Sequence, residues 1–492
     1  MKITKILLII FSSTFAVSCG DQLAELNLDP NQSTSGGDGP EVFVAAQAEY
    51  AVSLEAYYNE TNALLAQYWA GGPGVALNDA ERFFFTPADF NNEWSFANLQ
   101  ALSDLKYVKD NGTPGLAAVS EVMTALIYQN LVDHYGDIPY SEAMRGAPED
   151  GGILTPKYDD AKTIYDDLIV RLNAAIAVLS NADGTLNAAD LAVGDEDLIY
   201  GGDLDQWIKL ANSLKLRLLM RQSITDASVG PAVIALISSG TFITSEDDMA
   251  VIPFQGAAGL NQNPQYLRRE SGVGQFFVAS ESSTDQLSFL NDPRASVIYD
   301  EAEATGTIVG LAQGGVNEIQ GVKPADFSFP SAVAYGESND VILMSHWEVM
   351  FLRAEADMRF GTADDETTMY NAAVTAHFNY IGATGAVAYL TDKAAYDASA
   401  STQTKSNLIG VQKWISMNGL QESEGWIEAR RFDVAGNNIF TNTATGIFTT
   451  PVRSVFPVGQ FPSIRLYPQT EISFNPNTPK GRTLFDKVFW DN

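Results

Sequence analysis

Residues 113–136 read TPGLAAVSEVMTALIYQNLVDHYG, and this stretch decides the fold class. Thr113 and Pro114 form a helix start, a capping side chain followed by a first-turn proline. Apolar side chains then recur with the spacing i, i+4, i+7, i+8 of one helix face, at Val119, Met123, Leu126 and Ile127. Gly136 ends the pattern, as glycine commonly does after a helix. The stretch predicts a long amphipathic helix with one buried face.

The same periodicity recurs along the chain, and the predicted helices fall into neighbouring pairs. Asp203 is a predicted N-cap, and the apolar stripe of the helix that follows runs from Trp207 to Leu218. Further helices are predicted at 41–69 and 93–109. The pairs are 114–135 with 158–180, 203–223 with 229–239, 346–361 with 366–382, and 401–417 with 420–434. Such pairs predict a mainly α fold with a tetratricopeptide-like helical-repeat scaffold.

Two long stretches interrupt the helical pattern. Residues 251–340 and 435–480 are rich in Gly, Asn, Ser and Pro, which predicts large irregular loops with a few short strands. No shift in composition separates independent domains. Residues 41–492 are therefore expected to form a single domain that carries functional loops.

Composition excludes several classes of function. The 492 residues hold 29 Lys and Arg against 61 Asp and Glu, a net charge of −32, which repels phosphate backbones and excludes nucleic-acid binding. A single cysteine and three histidines exclude disulfide frameworks, thiolate zinc sites and multi-histidine metal centres. No metal and no cofactor is predicted.

The N-terminus has the pattern of an export signal. Residues 1–18 begin with lysines, continue with an apolar run and end with a small residue directly before Cys19. The apolar run is shorter than the roughly 20 residues of a membrane-spanning helix. We therefore predict that Cys19 is lipidated, and that residues 19–40 form a flexible tether to a membrane.

Catalytic motifs are not found in the sequence. It contains no Gly-x-Ser-x-Gly elbow, no phosphate loop and no His-Glu-x-x-His motif. His134, His346 and His377 lie in or beside predicted helices without a sequence partner for acid-base work. With 61 acidic residues, a pair of carboxylates for glycoside hydrolysis has no specificity. No catalytic residue is assigned, and the histidines are interpreted as structural.

A set of motifs follows the order of a known family. They are Asn-Leu-Asp-Pro-Asn at 27–31, His-Tyr-Gly-Asp-Ile-Pro-Tyr-Ser-Glu-Ala at 134–143, Asp-Leu-Ile-Tyr-Gly-Gly-Asp at 197–203, Ala-Asn-Ser-Leu-Lys-Leu-Arg at 211–217, Asp-Pro-Arg at 292–294, Gln-Lys-Trp at 412–414, Glu-x-Trp at 424–426 before Arg430 and Arg431, and Arg-Leu-Tyr-Pro at 465–468. The chain thus resembles the SusD/RagB family of outer-membrane nutrient-binding lipoproteins, closest to its SusD-like, starch-binding-associated branch.

The resemblance implies a function without catalysis. The chain would be a cell-surface glycan-binding protein, lipid-anchored in the outer membrane and facing the exterior. It would act as the lid of a SusC-like TonB-dependent transporter in nutrient uptake. The alternative is a RagB-like lid that captures peptides.

The family's motif residues are interpreted as scaffold. A desolvated guanidinium needs a partner, so we expect Arg217, Arg430 and Arg431 to pair with carboxylates such as Glu424 or Glu428, or with backbone carbonyls. The tryptophans of the helical stripes and motifs are expected in the core, namely Trp207, Trp347, Trp414 and Trp426.

The ligand site has to be inferred from chemistry, because family ligand residues lie in variable loops. Sugars need flat aromatic platforms with polar side chains beside them. One candidate region follows the helix that ends at 69, and a second is the loop 261–277. The first region supplies Tyr68, Trp69, Asn78, Asp79, Arg82, Phe83, Asn91 and Trp94, and the second supplies Asn263, Tyr266 and Arg268. The alternative for the first region is an aromatic flap that packs on the core.

Overall fold

The computed structural model describes residues 39–74, 79–256, 261–270, 277–316 and 321–491. The signal peptide, Cys19 and nearly all of the tether lie outside these residues, as does Asn78. The described chain is mainly helical, as the periodicity predicts.

The N-terminal helices are interrupted by π-helical turns. Their order is α1 (Gly39–Ser53), a π-helical segment (Leu54–Asn59), α2 (Glu60–Leu65), α3 (Asn91–Ser95), a second π-helical segment (Phe96–Ala101) and α4 (Leu102–Asn111). The predicted helix 41–69 therefore ends early. Its chain leaves the helix at Gln67, which has a positive φ of 55°.

The next four helices form the first two predicted pairs. They are α5 (Pro114–Tyr135), α6 (Ala161–Leu179), α7 (Leu204–Gln222) and α8 (Gly230–Ser239). The predicted caps are confirmed, because Thr113 Oγ1 accepts from the N–H of Leu116 and Asp203 Oδ1 from that of Asp205. α5 is apolar and long enough to cross a membrane, but 83% of its most apolar stretch is buried inside the protein. It is the central core helix.

The middle of the chain is irregular but contains short helices. These are α9 (Pro264–Glu270), α10 (Glu281–Phe289), α11 (Ala295–Ile298) and α12 (Ala332–Tyr335). The sequence predicted only loops and short strands here. The nine-residue α10 forms because Ser280 caps it, accepting from the N–H of Ser283.

The C-terminal part contains the remaining helix pairs. Its helices are α13 (His346–Phe360), α14 (Glu366–Tyr380), α15 (Ala386–Thr391), α16 (Thr402–Met417), α17 (Glu422–Phe432) and α18 (Gln469–Phe474). α13 packs on α14, and α16 on α17. The predicted tetratricopeptide-like pairing is confirmed.

Within the described ranges, six short strands form three antiparallel pairs. They are β1 (Trp69–Gly71) with β5 (Phe277–Ala279), β2 (Ile138–Pro139) with β3 (Tyr158–Asp159), and β4 (Ala250–Ile252) with β6 (Val341–Met344). Gly136, with a φ of 68°, ends α5 before β2. The motif at 134–143 is thus a helix-to-strand turn of the scaffold.

The largest core cluster runs from Phe43 to Trp490 and encloses buried charges. The four expected core tryptophans are buried. Arg217 pairs with Glu348 at 2.7 Å, and Arg431 with Glu355 at 2.6 Å. Arg430 donates to the backbone carbonyls of Ser463 and Asp133. The motif arginines therefore hold helices together, as expected from the cost of an unpaired buried charge.

Candidate ligand-binding site

The aromatic rings predicted to stack on a ligand are buried. Tyr68, Trp69, Phe83 and Trp94 have exposed fractions of 0, 0, 1 and 4%. The expectation of an exposed platform at these rings is wrong, and the alternative of an aromatic flap describes them better.

Neighbouring rings explain this burial. Trp69 packs against Phe277 and Tyr335, with centroids 5.7 and 5.3 Å away, and Trp94 packs edge-on against Tyr135. Tyr68 donates its hydroxyl to the Trp414 carbonyl at 2.6 Å. These partners come from distant parts of the sequence, so no local pattern could reveal them.

The polar candidates of the first region form contacts within the protein that stabilise its loops. Arg82 and Asp79 form an exposed ion pair at 2.7 Å, and the Arg82 guanidinium lies over Phe84. Asn91 Oδ1 accepts from the N–H and the hydroxyl of Thr470. Asp79 and Arg82 are at the surface, whereas Asn91 attaches α3 to α18.

Asn263 also has a structural role. It is fully buried, its Oδ1 accepts from the backbone N–H groups at the start of α9, and its Nδ2 donates to the Asn339 carbonyl. The side chain therefore fixes the position of α9. A direct ligand contact by Asn263, as expected from the sequence, does not fit its burial.

Tyr266 and Arg268 remain partly exposed on α9. Arg268 donates from Nε and Nη2 to the two carboxylate oxygens of Glu60, at 2.7 and 2.9 Å. Donation to the Glu60 carboxylate raises the pKa of Arg268, so the guanidinium stays charged and held in one orientation.

Two exposed rings that the sequence reasoning missed lie beside this ion pair. Tyr57 and Phe96 are both partly exposed and stack with centroids 5.2 Å apart and an interplanar angle of 27°. The Arg268 guanidinium lies 5.8 Å from the Tyr57 centroid. We call Tyr57, Phe96, Glu60 and Arg268 the aromatic surface.

The two π-helical segments explain why these rings meet. Tyr57 lies on the segment Leu54–Asn59, and Phe96 lies on Phe96–Ala101. A π-helical turn inserts one residue and rotates the following side chains out of the α-helical register, and such turns are frequent at functional sites. Because the sequence pattern was interpreted with an α-helical period, both rings were assigned to ordinary helices.

Strand pairing brings the two predicted regions together. In the β1–β5 pair, Trp69 lies opposite Ala279, and the Arg269 guanidinium lies 5.0 Å from the Tyr335 ring that packs on Trp69. α9 is therefore fixed on one side by Glu60 and on the other by Tyr335.

Within the described ranges, no group of three or more His, Cys, Asp or Glu could hold a metal ion.

Comparison with known proteins identifies the family. A family model described as "Starch-binding associating with outer membrane", SusD-like, matches residues 31–457. The chain belongs to the SusD-like family. The resemblance drawn from the ordered motifs is thereby confirmed.

Solved structures share the SusD-like fold. A SusD homolog from Bacteroides uniformis is 22% identical, with a TM-score of 0.74 and coverage of 92% of this chain and 99% of that one. A SusD/RagB family protein from Bacteroides thetaiotaomicron is 24% identical, with a TM-score of 0.74 and coverage of 92% and 99%. A chitin-binding SusD homolog from Flavobacterium johnsoniae is 18% identical, with a TM-score of 0.74 and coverage of 91% and 98%. No curated protein sequence matches the chain.

Proposed function

We propose that this protein is a non-catalytic glycan-binding lipoprotein of the outer membrane, and that the aromatic surface holds the glycan. One observation carries the proposal. The stacked, partly exposed rings of Tyr57 and Phe96 lie beside the Arg268–Glu60 ion pair, which is joined by two hydrogen bonds.

The chemistry of this surface suits a sugar. A pyranose ring has apolar C–H faces that pack on aromatic rings, and hydroxyl groups around its edge that both donate and accept. The Tyr57–Phe96 pair supplies the apolar face. The carboxylate of Glu60 accepts and the guanidinium of Arg268 donates, and both are held in place before a ligand arrives, which lowers the entropic cost of binding.

The family comparison supports the ligand class and the location. The family's description names starch binding and the outer membrane, and one structural relative is a chitin-binding protein. We further propose that Cys19 anchors the chain, and that the chain serves as the lid of a SusC-like TonB-dependent transporter. Capture would then take place between lid and barrel.

Titration of a glycan panel against alanine variants tests the ligand site. Tyr57→Ala or Phe96→Ala should weaken binding of the preferred glycan by about 5-fold to 150-fold, since a buried aromatic contact contributes about 1 to 3 kcal/mol. Tyr57→Phe is the matched control, because it keeps the ring. Phe289→Ala removes a 76% exposed ring from α10 and should leave affinity unchanged.

The same panel separates glycan from peptide capture. If purified protein binds a peptide library and no glycan, the RagB-like alternative replaces the proposal. The protein should also release no reducing ends from any polysaccharide it binds. Steady turnover that survives repeated purification would contradict a purely binding role.

A further inference from the structure

A cavity of about 560 Å³ lies near the C-terminus of the chain, apart from the aromatic surface. It is enclosed by the end of α17, the loops 435–448 and 459–463, and residues 485–491. Cavities of about 300 to 1,000 Å³ are typical of small-molecule sites. We call it the C-terminal cavity.

Aromatic rings form much of the wall of the C-terminal cavity. Phe440 and Phe448 lie with centroids 5.1 Å apart, and Phe448 lies 6.1 Å from Phe461. Phe485, 36% exposed, and the buried Trp426 also line the cavity. Phe440 and Phe448 are buried, whereas Phe461 is partly accessible and Phe485 is exposed, so these two rings offer faces of the kind that sugar C–H groups contact.

The charged groups of the wall are balanced and mostly occupied. Arg430 lies 4.0 Å from the Trp426 centroid and donates to the carbonyls of Ser463 and Asp133. Asp433 accepts from the backbone N–H groups of Phe440 and Thr441, which closes the loop. Arg430 and Asp433 carry opposite charges, so together they contribute little net charge to the cavity.

Polar groups at the mouth are neutral or paired. Gln460 and Asn438 contribute side-chain amides to the lining. Lys487 lies 3.8 Å from Asp491, so its charge is partly compensated. A wall with ring faces, amides and balanced charge matches an uncharged polyhydroxy ligand better than an anion or a cation.

We propose that the C-terminal cavity is a second saccharide subsite that takes one or two neutral sugar units. The proposal rests on glycan binding as the proposed function and adds a site separate from the aromatic surface. Leu65, at the C-terminal end of α2, lines the cavity, whereas Glu60, at the other end of α2, belongs to the aromatic surface. Five residues of α-helix span about 7.5 Å, so Glu60 and Leu65 lie about that far apart along the axis of α2.

Calorimetric titration with maltotriose and with N,N′,N″-triacetylchitotriose tests the subsite. Ala435 is exposed and lines the cavity, so Ala435→Trp should fill it without disturbing the core. We expect this variant to bind the preferred trisaccharide at the cavity at least about 10-fold more weakly, and Phe485→Ala about 5-fold more weakly. Ala188→Trp, at an exposed position outside the cavity lining, is the matched control.

The pattern across variants decides between the two sites. The subsite is overturned if Ala435→Trp and Phe485→Ala keep the wild-type unfolding temperature and bind the glycan as tightly as the wild type. This conclusion holds even if Tyr57→Ala weakens glycan binding. Binding that is lost in Ala435→Trp but kept in Tyr57→Ala supports the cavity and contradicts the aromatic surface. Wild-type protein that binds no glycan of the panel overturns both proposals.

Discussion

Trp69 has the partners of a core residue, with Phe277 and Tyr335 against its indole and no exposed surface. Trp69→Ala should therefore lower the free energy of unfolding by about 3 to 5 kcal/mol, the cost of deleting a large buried ring. Urea denaturation measures this. Tyr57→Ala is the contrast, because truncating its partly exposed ring should cost less than about 1 kcal/mol. A small loss for Trp69→Ala would mean that the ring is not held by the core.

Glu81 is a buried carboxyl whose ionisation opposes folding. Burial raises its pKa to about 7, although the backbone amides of Gly314 and Gly71 partly offset this, and Oε1 accepts from the Gly314 N–H at 2.6 Å. Because the folded pKa lies above the ordinary value of 4.5, the stability that protonation contributes is complete below about pH 4.5 and is lost as the pH rises through 7.

Glu81→Gln should therefore stabilise the protein mainly at alkaline pH. The pKa shift from 4.5 to about 7 corresponds to roughly 3 kcal/mol as an upper bound, at 1.36 kcal/mol per pH unit. Thermal unfolding from pH 5 to pH 8 should show the variant gaining on the wild type as the pH rises. A difference that stays constant across this range would contradict an ionisation at Glu81.

At the scale of elements, α17 approaches the loop before β1 so closely that only glycine fits at 425. A Cβ there would lie 2.2 Å from the Tyr68 hydroxyl oxygen. Gly425→Ala should cost about 1 to 3 kcal/mol through overpacking. In the Tyr68→Phe background the same change should cost less, because the clashing oxygen is gone. A double-mutant cycle in urea measures this coupling, and additive losses would contradict the contact.

At the scale of the whole molecule, buried ion pairs connect distant helices. Arg431 of α17 pairs with Glu355 of α13 at 2.6 Å, and Arg217 of α7 pairs with Glu348 of α13 at 2.7 Å. Removing one partner of such a pair leaves an uncompensated buried charge. The pairs therefore couple helices that are far apart in sequence.

Arg431→Met should destabilise the protein by about 3 to 5 kcal/mol, because Glu355 and Glu428 lose their shared cation. Chemical denaturation measures the loss. Lys162→Ala breaks the exposed pair with Asp166 and should change stability by less than about 1 kcal/mol. Equal losses in the two variants would show that burial does not determine the effect.

Membrane attachment is a further prediction for the whole molecule. Cys19→Ala should release the protein from the membrane fraction with its unfolding temperature unchanged, because a lipid chain on Cys19 is the predicted anchor. Fractionation of cells that lack the transporter, with palmitate labelling, measures this. Labelling that persists in the variant would exclude Cys19 as the lipidation site.

The sequence by itself determined the helical scaffold. Spacing within a few helical turns predicts the helix starts at Thr113 and Asp203, the paired helices and the core position of Trp207. The cost of desolvating a charge predicts that Arg217 is paired. Both can be inferred from the local sequence. The family match over residues 31–457 confirms the resemblance drawn from the ordered motifs, and the motifs at 211–217, 412–414 and 424–426 lie in helices of this scaffold.

Only the tertiary structure decided which aromatic rings reach the surface. Trp69 is covered by Phe277 and Tyr335, more than 200 positions further along the chain, whereas Tyr57 and Phe96, which lie on the two π-helical segments, stay partly exposed. Exposure depends on which distant segment covers a side chain, and that choice is made by the packing of the whole chain. Neither the helical period nor the composition of a loop predicts this packing. The candidate site is therefore the surface formed by Tyr57, Phe96, Glu60 and Arg268, and not Trp69 and Trp94.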